Sequence, residues 1–104
     1  MKENPTEKLA KQLRTTGYPV AYRAFEKRQK MPFICWLEAY SNNFAADGLV
    51  YQPFSHIQVE LYTYRKDKEA EQRVEQALAG YFWEKSETYI ESENAYQIIY
   101  DLEV

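Results

Sequence analysis

His56 is the single imidazole of this 104-residue chain and Cys35 its single thiol. Nucleophilic catalysis needs such a pair to meet in space, whatever their separation in sequence. Cys35 lies in the run from Pro32 to Tyr40, which is apolar at nearly every position, so a buried, inert thiol is expected there. One histidine and one cysteine cannot build an all-His/Cys zinc site, and one cysteine cannot form a disulfide within the chain. Glu91 and Glu93 offer carboxylate oxygens suited to a hard cation, but their setting reads as a solvated hairpin turn. The glycines stand isolated at 17, 48 and 80, so no phosphate-cradling loop exists. Acids are plentiful and nothing singles out a pair for acid–base work. The reading is of a protein that is not an enzyme and uses no cofactor or metal.

Surfaces for binding come next. Arg23, Lys27, Arg28 and Lys30 interleave with Tyr22 and Phe25, a combination able to hold a phosphate backbone and stack bases. Glu26 dilutes the patch, and a charged, solvated hairpin loop explains it equally well. The net charge of −3 argues against a general nucleic-acid binder. That sum conceals an asymmetry: residues 1–52 carry a net +3 and residues 53–104 a net −6. Surface scatter accounts for this, and so do complementary faces for a neighbouring copy. Aromatic residues make up 16% of the chain, ten of them tyrosines. Most suit half-buried sheet positions, and the excess favours a protein–protein surface.

The elements that must position these residues follow from periodicity and punctuation. Asn4 caps a first helix, Pro5 fits its first turn, Glu7 completes a near capping box, and Gly17 stops it. Thr6, Leu9, Ala10, Leu13 and Thr16 share a thin apolar face. Alternation over residues 20–25 predicts a strand, followed by a polar loop over 26–30. The apolar run after Pro32 predicts a central strand covered on both sides. Residues 41–48 read as the longest loop, tight at Asp47-Gly48. Leu49 to Tyr51 resume an extended pattern, and Pro53 marks a break or an edge. Ile57, Val59 and Leu61 alternate with Gln58, Glu60 and Tyr62 as a half-buried strand. Asp67 caps a second helix with the stripe Ala70, Val74, Ala77, Leu78 and Tyr81, ended by Gly80. Two strands close the sequence, joined by a turn over Glu91 to Asn94. The expected fold is α+β: about five strands in a mainly antiparallel sheet, two helices on one face, in the order α-β-β-β-α-β-β. One domain spans residues 1–104, with an expected radius of gyration of about 13 Å. No apolar run approaches a membrane span of roughly 20 residues, and the Met1 end lacks a signal-peptide stretch. The expected compartment is the cytoplasm, or a particle assembled there.

Three stretches carry a resemblance: 17–22 (Gly-Tyr-Pro-Val-Ala-Tyr), 31–36 (Met-Pro-Phe-Ile-Cys-Trp) and 40–47 (Tyr-Ser-Asn-Asn-Phe-Ala-Ala-Asp). With Val59-Glu60-Leu61-Tyr62-Thr63 and residues 87–93, they resemble small tail proteins from phages of Gram-positive bacteria. The likeness runs over roughly residues 17–104 and is most specific at 40–47. The element order resembles the tail-terminator and tail-completion fold. The resemblance implies a virion subunit of a homo-oligomeric ring, a hexamer among the candidates, that caps the tail tube and meets head-connector proteins. Localisation would be the virion neck, with host cytoplasm during assembly, no membrane, and DNA passing without specific binding. The family offers no catalytic residues to carry over. On this reading the interface loop is Tyr40, Ser41, Asn42, Asn43, Phe44 and Asp47, and Glu60, Glu91 and Glu93 are candidates for an acidic bore. A small prophage adaptor, or another neck protein that binds a different chain, is the alternative.

Overall fold

In the computed structural model, residues 4–46 and 49–104 are described, the stretch 40–54 by its backbone alone. Helix α1 (Pro5–Arg14) starts where the Asn4 side chain accepts a hydrogen bond from the Thr6 N–H at 2.9 Å, with Pro5 at its first position. Its buried face is Leu9, Ala10 and Leu13, as the spacing predicts. Helix α2 (Lys68–Ala77) is capped by Asp67, whose carboxylate accepts from the Ala70 N–H at 3.0 Å. Glu69 and Arg73, one turn apart, pair at 3.2 Å along its surface. Both helices lead into a glycine with positive φ, Gly17 at 85° and Gly80 at 94°, where a side chain would be strained.

Five strands follow the expected order: β1 (Val20–Tyr22), β2 (Phe33–Ala46), β3 (Leu49–Thr63), β4 (Trp83–Ile90) and β5 (Ala95–Glu103). They lie side by side as β1-β2-β3-β5-β4. Every pairing is antiparallel except β1 with β2. Strand alternation sends Ile34, Ile57, Val59, Leu61, Ile98, Tyr100 and Leu102 to one face, where they meet Leu9, Leu13, Ala70, Val74 and Leu78 of the helical layer. Each fully buried aliphatic here contributes on the order of 1.5–3 kcal/mol. The protein is α+β with its two helices on one face of a mostly antiparallel sheet.

An ion-pair network ties α2 to the sheet on that side. Glu71, in the first turn of α2, is buried, with Lys85 Nζ 3.0 Å from Oε1 and Lys66 Nζ 2.8 Å from Oε2. Burial opposes its ionisation, but the two ammonium groups outweigh that and hold its carboxyl below the usual range. Lys85 also reaches Glu75 at 2.8 Å, and Glu75 accepts from the Tyr100 hydroxyl at 2.8 Å.

The structure corrects several expectations. The first strand stops at Tyr22 rather than Phe25, because Arg23 adopts a left-handed φ of 66° that turns the chain out of the ladder. Its link to β2 is not a hairpin loop: β1 and β2 are parallel, so residues 23–32 form a crossover. Residues 41–46 are not loop but the far end of β2, paired with β3 as Ser41↔Ser55, Asn42↔Phe54, Asn43↔Pro53 and Ala46↔Leu49. Asp47-Gly48, the expected tight point, lies outside the described residues. β3 continues through Pro53, which marks an open edge of the strand, beside a register shift in its pairing with β2. The extension makes the molecule 50 Å long, with a radius of gyration of 15.0 Å in place of the expected value near 13 Å.

Candidate functional site

The β2–β3 ladder outruns the rest of the sheet. β5 accompanies β3 from Thr63 to His56, and one further pair of backbone bonds joins Ser55 to Val104 at 3.2 and 3.0 Å. β1 accompanies β2 only over Ile34–Trp36. Past the Ser41↔Ser55 pair, each strand of this ribbon has the other as its only described partner for roughly another 17 Å. The Ser55 backbone groups face β5, so those of Pro53, two residues on, face the same side. Proline has no N–H to extend that ladder, which ends strand pairing along the outer edge of β3. The same alternation turns the backbone groups of Ser41 and Asn43 toward the outer edge of β2, beyond β1. Five of the six interface candidates (Tyr40, Ser41, Asn42, Asn43 and Phe44) thus lie in the ribbon or at its base. Tyr40 sits at the base opposite His56, and Asp47 is outside the described residues.

This stretch is unusual in composition. From Ala39 to Val59 the only formally charged residue is Asp47, in a chain that is 28% charged. Exposed strand edges are ordinarily guarded by charge, and a free two-stranded ribbon is marginal in water.

The crossover lies over the second face of the sheet, at the opposite end of β2. Phe25 packs edge-on against Phe33 at 5.4 Å, and Phe33 stacks on Tyr62 at 4.9 Å. A cavity of about 340 Å³ opens between the crossover and the sheet, lined by Phe25, Met31, Phe33, Cys35 and Tyr62 and bordered by Arg23, Lys27 and Arg28. Three of the four basic candidates therefore gather at one cavity; Lys30 is exposed on the same crossover. Arg28 stands 3.9 Å from Glu93, which joins the border with Glu26. The covering crossover also explains why β2 is apolar on both sides near Phe33 and Cys35.

Cys35 and His56 do not meet. Cys35 pairs with Glu60, four residues along β3 from His56 and so roughly 13 Å away. Burial, with the Glu60 charge adding to it, pushes the thiol up to about 11, so it stays protonated at neutral pH. Glu60 itself is raised by burial. It accepts from the Tyr62 hydroxyl at 3.1 Å, and Tyr62 in turn accepts from Gln97 Nε2 at 2.9 Å. His56 lies 3.5 Å from Glu103.

The three proposed bore acids are not brought together. Glu60 is half-buried in mid-sheet, whereas Glu91 and Glu93 are exposed on the 3-10 turn that joins β4 to β5. Sequence reasoning missed the carboxylates that do share the helix-free face with Glu60: Glu84, Asp101 and Glu103, with Glu84 directly opposite Asp101. The alternation of β3 and β5 held that signal once their register was known. It also missed Phe82, 87% exposed beside this acidic face. Among the described residues no group of three or more His, Cys, Asp or Glu is arranged to hold a metal, and no helix is long and apolar enough to cross a membrane.

No protein-family model and no curated protein sequence matches this chain.

Proposed function

We propose that this protein is a non-catalytic assembly subunit whose β2–β3 ribbon docks on a neighbouring copy, and that it serves as a ring subunit at the head-proximal end of a phage tail. The observation that carries the assembly reading is the ribbon: two strands that outrun the sheet, with one formal charge between Ala39 and Val59. A surface of that composition favours burial against protein over exposure to water. The tail assignment rests on the resemblance over residues 17–104, with which an interaction element at 40–47 agrees. On this reading the partners are further copies, the tail tube and head-connector proteins, in the virion neck.

Native mass measured from micromolar to near-millimolar concentration tests the proposal. The expected result is a concentration-driven step to one closed cyclic oligomer. A variant in which residues 43–53 are replaced by Asn-Gly, leaving Asn42↔Phe54 to flank a two-residue turn, should fold and stay monomeric. A wild-type chain that remains monomeric throughout overturns spontaneous assembly and favours an adaptor that binds a different chain.

A further inference from the structure

We infer that the cavity beneath the crossover is the receptor for the ribbon tip of a second copy of this chain. The inference rests on the ribbon-mediated assembly proposed above and specifies where the ribbon lands. Phe33, in the cavity, and Ala46, the last residue of β2, belong to the same strand and are separated by roughly 40 Å along it. A ribbon therefore cannot fill its own cavity. Donor and acceptor stand at opposite ends of a 50 Å molecule, so each copy offers its ribbon to the next and its cavity to the one before. Such a contact is head-to-tail, and it closes into a ring or continues as a filament.

The two surfaces match in chemistry. The lining is aromatic and apolar, and the strand ends flanking the tip read Phe44-Ala45-Ala46 and Leu49-Val50. Three cations border the cavity against Glu26 and Glu93, the latter beside Arg28, leaving a basic excess. The sole charge of the ribbon stretch is the carboxylate of Asp47. Complementary charge of this kind fixes orientation and register more than it adds affinity. The same cations that suggested nucleic-acid binding thus become the border of a protein-binding site.

Sedimentation of paired variants tests the inference. Lys27→Glu with Arg28→Glu reverses the border at two exposed positions and leaves the ribbon intact. The ribbon-shortened variant lacks the donor and keeps the cavity. Each alone, with an unchanged melting temperature, should need at least ~10-fold more protein than wild type to associate. Mixed together they should give a 1:1 complex that grows no further, since only one donor and one receptor remain. Adding Asp47→Lys to the border-reversed chain should restore assembly. A border-reversed chain that assembles like wild type overturns the receptor assignment while leaving ribbon-mediated assembly standing. So does loss of nucleic-acid retention with assembly unchanged, which would return the patch to nucleic-acid binding. A folded mixed pair that forms no complex likewise overturns it, and a wild-type chain that never associates overturns this inference together with the proposal beneath it.

Discussion

Glu60 projects from β3 next to the Cys35 thiol, and burial raises its carboxyl above the ordinary value of 4.5. The sign of the consequence follows from linkage. Below that ordinary value both folded and unfolded chains hold the proton, and the group is neutral to stability. As pH rises through 4.5 the unfolded chain ionises freely while the native carboxyl resists, so stability falls until the native group has also ionised. Glu60→Gln removes the charge and keeps an oxygen to accept from the Tyr62 hydroxyl. It should raise stability at neutral pH by up to ~1 kcal/mol, a figure reduced because the carboxylate is partly solvated. Thermal melts at neutral pH and at a pH well below 4.5 check this: the gain should appear only in the first. An equal gain at both would assign the effect to packing rather than to charge.

Among the elements, the ribbon differs most from what the sequence suggests. Its outward amides at Ser41 and Asn43 face the open edge of β2, whereas the amides of β3 from Ile57 to Leu61 lie between two neighbouring strands. Hydrogen exchange in dilute protein should therefore be fast over 41–54 and slow over 57–61, and concentration should protect the first stretch alone. Ribbon amides already protected in the monomer would mean that the ribbon is stable unaided. The helices were legible because caps, a 3.6-residue stripe and terminal glycines all agreed. β4 and β5 were legible because their alternation is clean and their turn is short. The ribbon was not, because Ser41-Asn42-Asn43 favours turns locally and only cross-strand pairing with Phe54 and Ser55 overrides that preference. β1 was mistaken for a hairpin partner because parallel pairing is a non-local choice with no local signal. The basic cluster could be read as a cluster, but the cavity it borders needed Phe33 and Tyr62 to come together from different strands.

At the scale of the whole molecule, shape and stability should separate. The helices pack on Ile34, on Ile57, Val59 and Leu61 and on Ile98, Tyr100 and Leu102 of β5, and shortening the ribbon removes none of these residues. It does remove the segment that carries the chain beyond its five-stranded body. Small-angle scattering at low concentration should therefore show the radius of gyration falling from about the observed 15.0 Å for the full chain. For the ribbon-shortened chain it should approach the ~13 Å of an ordinary domain of this length. The melting temperature should hold within a few degrees, equivalent to less than ~1 kcal/mol. A large loss of stability would make the ribbon part of the folding unit, and its lack of charge would then reflect contacts within one copy. If instead the shortened chain is as stable as the full one, the ribbon contributes nothing to the stability of the monomer. On the proposed assembly its composition is then accounted for by a neighbouring copy, since a strand edge is ordinarily guarded by charge and this stretch has almost none.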